Sequence, residues 1–551
     1  MAARSLTRVL VVIAGAGIWL YIGFRPDEVP SPGSTASTTR PSALATTTTE
    51  EGCRLSPPPA GPVLATTPAS LSIAVSVAAF DCAPVMVVGS PTDFQSLQIG
   101  LQLAAAAGGP LLLTTDPATL QLEAERLEVE EIYLLVDVEI STRADISRFT
   151  VEEAIDQVRR LRRGSDSLTD DTGWGWSSAV IAALSGADVA TGGAAVFDLE
   201  VDATAVASAA PDHDVVWLAD GSSPAMAAPV VAAAAARGET AVLVDPTDLR
   251  RLPDVVGALR RIAPLMAVAA GNYDGDTVAW QVPALVSAPE LPGGGLIMFP
   301  ERRLVAYYGN PTTPNLGVLG SQGPDETVEK LLPIATEYGA DGVMTIPSFE
   351  IIVTVASADA GADNDYSEEM TLDLLRPWIE VAAERGVYVV LDLQPGRTDF
   401  LTQAQRYEEF LHLPHVGLAL DPEWRLRSDQ VHLRQVGTVD AAEINTVVDW
   451  LAGVVRDQNL PQKLLLLHQF KLSMITNREL IETPPELAVV IQMDGQGPLP
   501  SKYGTFSALT EGTEEATWRW GWKNFYQLDT PLATAAQVLD LEPLPVYVSF
   551  Q

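Results

Sequence analysis

The sequence predicts an α/β protein with tandem βαβ units followed by a (β/α)8 TIM-like barrel. Three observations predict it. Short apolar runs alternate with amphipathic stretches over most of the chain, the pattern of parallel sheets covered by helices. Two segments resemble each other at a period of about 129 residues. Beyond them, roughly 250 residues offer a further series of apolar runs, most of which end in a polar side chain. A hydrophobic fraction of 47% against 19% charged residues supplies apolar material for packed domains.

Residues 1–25 read as a signal-anchor or transmembrane segment. Arg4 and Arg8 precede an uncharged run from Val9 to Phe24, and Arg25-Pro26-Asp27-Glu28 closes it. As a helix the run would span about 24 Å, slightly short of a ~30 Å hydrocarbon core. The early arginines predict an inside N-terminus, with Trp19 and Tyr21 at the outer interface. Ala14-Gly15-Ala16 resembles a cleavage site, which leaves secretion after signal cleavage as the alternative. The expected location is the cell membrane, held by a single N-terminal anchor in the lipid bilayer, with the bulk extracytoplasmic.

Residues 26–68 are rich in Pro, Ser, Thr and Ala, including Thr46-Thr47-Thr48-Thr49 and Pro57-Pro58-Pro59. Such a segment cannot bury enough apolar surface to offset the entropy of ordering, so it reads as an extended stalk. The chain has two cysteines, Cys53 and Cys82. In an oxidising compartment the pair invites a disulfide closing a loop of about 30 residues, worth roughly 3 kcal/mol; two unpaired thiols are the alternative. No Cys-x-x-Cys or zinc spacing occurs, so no thiolate metal site is expected. The net charge of −37 repels phosphate backbones and excludes a general nucleic-acid partner.

Residues 69–288 hold the repeat. The first copy runs Val85-Met86-Val87-Val88, a helical stretch ending Ala104-Ala105-Ala106-Ala107-Gly108, then Leu111-Leu112-Leu113-Thr114. The second runs Val215-Val216-Trp217-Leu218, a stretch ending Ala233-Ala234-Ala235-Ala236-Arg237-Gly238, then Thr240-Ala241-Val242-Leu243-Val244. Each continues to a further apolar strand, Ile132–Val136 and Leu265–Ala269. The alanine tract lets the helix approach the sheet closely, and the glycine terminates it. This order resembles the cell-wall-binding repeat of bacterial surface proteins, and the resemblance implies a hold on anionic wall polymers or peptidoglycan. A scaffold that does not bind wall is the alternative.

Residues 295–551 predict the barrel. Its strand candidates are Leu304–Tyr308, Gly342–Ile346, Val387–Leu393, Val416–Leu420, Gln435–Val439, Lys463–Leu467, Leu487–Met493 and Val546–Phe550, and Gly293-Gly294-Gly295 before them reads as a flexible hinge. The strand ends carry Tyr308, Glu350, Asp392 with Gln394, Asp421 with Glu423, His468 with Gln469, and Asp494. In a closed barrel such ends form one rim, where barrel enzymes bind substrate. Asp421 and Glu423 are two apart, with Cβ atoms about 7 Å apart on one side of an extended chain. Two neighbouring carboxyls cannot both ionise freely, so one keeps its proton near neutrality. Glycosidic cleavage requires a proton delivered to the leaving oxygen. Trp424 beside the pair, and Trp518, Trp520 and Trp522 later, offer flat faces suited to sugar rings.

The run Gly417-Leu418-Ala419-Leu420-Asp421-Pro422-Glu423-Trp424 is similar to the strand-four motif of family-18 chitinases, which ends an apolar strand with Asp-x-Glu. The resemblance implies Glu423 as general acid and Asp421 as its orienting partner; where that motif has a further Asp this chain has Ala419, and Pro422 fills the intervening position. The blocks Ala306-Tyr307-Tyr308-Gly309, Leu393-Gln394-Pro395-Gly396-Arg397 and Asp421-Pro422-Glu423-Trp424 also resemble an actinobacterial surface family, a likeness that names no reaction. No phosphate-cradling Gly-Lys-Ser/Thr loop, dinucleotide fingerprint or Gly-x-Ser-x-Gly elbow occurs, so no cofactor is expected. Asp392, Asp494 and His468 are metal-ligating types, but no spacing rule joins them and no metal is expected. Two functions stand: a glycosidase-like barrel acting on cell-surface or environmental glycans, or a non-catalytic carbohydrate-binding or structural module of the cell envelope.

Overall fold

The computed structural model describes residues 10–14, 17–21, 55–163, 215–244, 247–251, 256–257, 259–260 and 264–551. Met1–Glu50 and Glu51–Gln551 are separate compact units. In the first, β1 (Leu10–Ala14) and β2 (Gly17–Tyr21) pair antiparallel, with Leu10 opposite Tyr21. The expected helix is therefore corrected to a strand pair over these residues. The physical reason lies in Val11, Val12, Ile13 and Ile18, which are β-branched, and in Gly17, which weakens a helix. Among the described residues no helix is long and apolar enough to cross a membrane. Most of the expected stalk, with Cys53, lies outside the described residues. No described cysteine is free.

The second unit opens with two four-stranded parallel sheets. One holds β4 (Val85–Val88), β5 (Leu111–Leu112), β6 (Glu131–Leu134) and β7 (Asp145–Arg148); β3 (Val63–Leu64) joins the other, with β8 (Val215–Asp220), β9 (Thr240–Val244) and β10 (Met266–Gly271). The orders are β5-β4-β6-β7 and β3-β10-β8-β9, so each repeat places its first strand between the next two. The two Ala-rich helices, Phe94–Ala107 and Pro224–Arg237, are capped by Asp93 and Ser223 and end on left-handed Gly108 (φ 71°) and Gly238 (φ 70°). Both belong to one core in which Leu97, Leu101 and Ala104 meet Ala228, Val231 and Ala232. The small side chains at Ala104, Ala228 and Ala232 let the helices lie close together.

The remaining strands are β11 (Arg302–Gly309), β12 (Met344–Ala356), β13 (Ser367–Glu369), β14 (Tyr388–Leu393), β15 (Val416–Leu420), β16 (Val439–Asp440), β17 (Lys463–Gln469), β18 (Ile475–Thr476), β19 (Leu487–Met493), β20 (Arg519–Asn524) and β21 (Tyr547–Phe550). Eight of them close a parallel barrel in the order β11-β12-β14-β15-β17-β19-β20-β21, with β21 pairing back to β11. One strand expectation needs correction. Gln435–Val439 is not a barrel strand: only Val439–Asp440 pairs, with Ile475–Thr476, ahead of the helix Ala441–Asp457 that connects β15 to β17. Gly437 there presses on the backbone of Pro422 and Glu423, where a Cβ would sit 2.5 Å from either carbonyl oxygen. The strand in its place is β20, which carries the sequence Arg-Trp-Gly-Trp-Lys-Asn.

Alternation sorts the barrel side chains. Val305, Phe349, Val389, Leu418, Leu465, Ile491, Trp520 and Trp522 join the outer core beneath the helices. Leu304, Ala306, Ile346, Tyr388, Val390, Ala419, Leu464, Leu466, Val490 and Tyr547 fill the interior, together with Leu291, Met298 and Phe299 from the preceding segment. Gly293-Gly294-Gly295 is thus no flexible hinge. Its left-handed turn is closed by Leu291 and Gly295, and Arg302 donates to the carbonyls of Pro292 and Gly294. This segment packs into the same interior cluster that runs through the barrel.

Candidate active site at the barrel mouth

The inward positions turn from apolar to ionisable toward the C-terminal ends of the strands. Tyr308, Glu350, Asp392, His468, Asp494 and Lys523 extend the interior rows begun by Ala306, Ser348, Val390, Leu466, Gln492 and Gly521; Asp421 continues the row of Gly417 and Ala419. All seven are buried, none more than 8% exposed. Glu423 and Trp424 lie in the 3-10 turn Pro422–Trp424 just beyond β15 and are part-buried.

His468 is the hub. Its Nε2 lies 2.8 Å from Glu350 Oε1 and 3.7 Å from Asp392 Oδ1, and its Nδ1 lies 3.2 Å from Asp494 Oδ2. Lys523 Nζ sits 3.1 Å from Asp494 Oδ1 and 3.5 Å from the centre of the Tyr308 ring. Tyr308 donates its hydroxyl proton to Asp392 Oδ2 at 3.0 Å and accepts from Gln394 Nε2 at 3.3 Å. Tyr547 donates to Glu350 Oε2 at 3.1 Å. Asp421 Oδ1 is buried with no hydrogen-bond partner in the protein.

Five carboxyl groups face two cationic side chains, so protons make up part of the difference. Burial pushes Asp392 up to about 6, opposed by His468 and aided by Glu350. Burial, with the Glu423 charge next, holds Asp421 well above the carboxylate range. Burial and then the Asp494 charge raise Glu423 to about 7, against the pull of Lys523 and His468. Burial would also raise Asp494, but Lys523 and His468 hold it below its ordinary value. Burial would lower His468, yet the surrounding carboxylates raise it well above an ordinary imidazole. Negative charge therefore settles on Asp494, and the proton stays with Glu423 and Asp421.

One oxygen each from Asp421, Glu423 and Asp494 lie within 4.8 Å of one another, as do single oxygens of Asp363, Asp365 and Glu369. Either group is compact enough to hold a cation. In the first, Lys523 already brings positive charge to Asp494. In the second, Asp365 accepts from Ser367 N and Thr398 Oγ1, and Glu369 pairs with Arg406. The protein's own donors thus reach Asp494 in the first group and Asp365 and Glu369 in the second.

Of the residues expected at the rim, Tyr308, Glu350, Asp392, Gln394, Asp421, Glu423, His468 and Asp494 come together. Gln469 does not: it accepts from Arg478 on the outward side of β17. Trp424 stays at the rim, its ring 5.3 Å from His432. Trp518, Trp520 and Trp522 offer no sugar platform. They are buried beneath the helix Leu499–Thr510, with Phe506 6.0 Å from Trp520 and 5.9 Å from Trp522. Lys523 and Tyr547 are site residues the sequence reading missed; Lys523 was legible as the inward alternate of the tryptophan row. The carboxylate lacking at Ala419 has a counterpart on the neighbouring strand, where Asp392 stands in register with Ala419.

No family model and no curated protein sequence matches the chain. Among solved structures it is similar to Cwp6 from Clostridium difficile, at 12% identity and a TM-score of 0.33, over 63% of this chain and 65% of that one. The match thus spans under two thirds of Cwp6. It is also similar to Thermotoga maritima Cel5A, solved in complex with cellobiose, at 11% identity and a TM-score of 0.27, over 45% of this chain and 88% of that one. What defines the chain's class is its own geometry, a closed eight-stranded parallel barrel with an ionisable layer at its C-terminal end.

Proposed function

We propose that the barrel is a glycosidase-like domain acting on cell-surface or environmental glycans, with Glu423 as general acid. The observation that carries this reading is the proton retained on a part-open carboxyl at the barrel mouth, raised to about 7 by burial and by Asp494. Asp421 is the positioning partner beside it, while the Asp494 charge disfavours ionisation of Glu423. One Asp421 oxygen lies within 4.8 Å of one of Glu423, close enough to orient it. The family-18-like run Asp421-Pro422-Glu423-Trp424 agrees with these roles. The test is hydrolysis of wall-derived and amino-sugar oligosaccharides by the full chain. Glu423→Gln should lower the rate by ~10²–10⁴-fold, and a wild-type rate in that variant rejects the assignment.

The second reading, a glycan-binding or structural envelope module, is favoured by Asp421 being only 1% exposed. Oligosaccharides that bind and are never cut would establish it. In either reading the domain works outside the cytoplasm, with the α/β repeats holding wall polymer. Arg4, Arg8 and the Pro/Ser/Thr stretch support that placement. Protease added to intact cells should free the globular part, and full protection would place it inside.

A further inference from the structure

We propose that Trp424, His432, Tyr366 and Arg397 form a carbohydrate subsite on the barrel rim, leading away from Glu423. It rests on the glycan reading above and adds the surface that holds the sugar.

The four side chains come from loops after three strands: Tyr366 follows β12, Arg397 follows β14, and Trp424 and His432 follow β15. All are part-buried. They make an edge-to-face ladder, with ring centres 5.3 Å apart and planes at 67° for Trp424 and His432, 6.3 Å and 82° for His432 and Tyr366, and the Arg397 guanidinium 4.5 Å from the centre of the Tyr366 ring. The loops are tied together by backbone. Leu426 N donates to Gly396 O at 2.7 Å, Arg397 N to Asp365 O at 2.7 Å, and the Arg397 guanidinium to Gln430 O at 2.9 Å. His432 Nε2 meets Tyr366 O at 2.9 Å.

Backbone strain is the second, independent observation. Six non-glycine residues adopt left-handed backbone among the described residues: Glu128, Asn364, Tyr366, Leu433, Asn459 and Asn477. Asparagine tolerates that region, and Glu128 closes a helix. The two large apolar ones, Tyr366 (φ 66°) and Leu433 (φ 63°), both lie in the loops of this ladder. Leu433 is 88% exposed, so burial does not account for it. Strain of this kind persists where the surroundings impose it, and it gathers at ligand clamps.

The chemistry selects a neutral pyranose chain. Flat, part-exposed rings suit the apolar faces of sugar rings, burial keeps His432 below its ordinary pKa and so uncharged, and a net charge of −37 opposes anionic polymers. Trp424 follows Glu423 directly, so a chain lying along the ladder brings its end to the acid.

The test uses the full chain carrying Glu423→Gln, titrated calorimetrically with β-1,4-linked hexasaccharides of glucose and of N-acetylglucosamine. At least one should bind, and Trp424→Ala should weaken it tenfold or more. Tyr366→Gly, which removes the ring and relieves the backbone, should weaken binding while leaving the thermal midpoint equal or higher; a merely structural ring would lower the midpoint. No binding by either sugar, or undiminished affinity in both variants, overturns the subsite. Cleavage of a sugar that Trp424→Ala leaves unchanged also overturns it while sparing Glu423. Binding lost in Trp424→Ala with no sugar ever cut supports the subsite and removes the acid.

Discussion

Replacing Glu423 by Gln should change stability in a way that depends on pH and needs no substrate. The ordinary value for this side chain is 4.5 and its folded value is about 7. Below pH 4.5 the carboxyl is protonated in both folded and unfolded protein, and the amide, nearly the same shape, should be close to neutral. Between pH 4.5 and about 7 the unfolded chain ionises while burial and Asp494 keep the folded carboxyl protonated, so wild type loses stability across this window, and the loss is complete once the folded group ionises. At roughly 1.4 kcal/mol per pH unit the gap amounts to about 3 kcal/mol. Glu423→Gln avoids that loss and should be more stable than wild type by about 3 kcal/mol at pH 8. Urea unfolding at pH 4.5, 6 and 8 measures it, following the barrel tryptophans by fluorescence. A difference that stays constant with pH would refute the account of how this carboxyl is held.

The neighbouring groups make further predictions. Lys523→Met strands Asp494 among carboxylates and should cost about 3–5 kcal/mol at pH 8, less at pH 5, by the same unfolding assay; an unchanged midpoint would remove Lys523 from the network. Trp522→Ala empties a fully buried site and should cost about 3–5 kcal/mol while leaving glycan affinity alone. Lost affinity with intact stability would return that ring to the binding surface. Cys53 and Cys82 should be recovered as one bridged pair in non-reduced peptide mass analysis of protein isolated without reductant, and two free thiols there reject the bridge.

Much of this architecture was written in the alternation of the chain. The rows Val390-Asp392 and Leu466-His468 read as buried strands with an ionisable inward end, and they fold that way. Asp421 and Glu423 were legible because two carboxyls sit two residues apart at the end of an apolar run. The tryptophans misled because large flat rings suit both a sugar and a core. Their period of two was the strand signal, and reading it would have exposed Lys523. Gln435–Val439 had strand composition, but local apolarity does not encode which run reaches a neighbour's backbone, and Gly437 is used to hold the rim loop. The His468 hub was beyond sequence reading, since its partners at 350, 392 and 494 meet only when the barrel closes. The helix expected near the N-terminus counted apolar length and overlooked β-branching.

The central claim is that a proton rests on Glu423 at neutral pH. Carbon-13 NMR of glutamate-labelled protein follows each side-chain carboxyl through a pH titration, and the resonance missing from Glu423→Gln identifies this one. A midpoint near 7 is the predicted result. A midpoint near 4.5 would mean that Glu423 is ionised at neutral pH, and the reading of the barrel mouth as an acid catalyst would be contradicted.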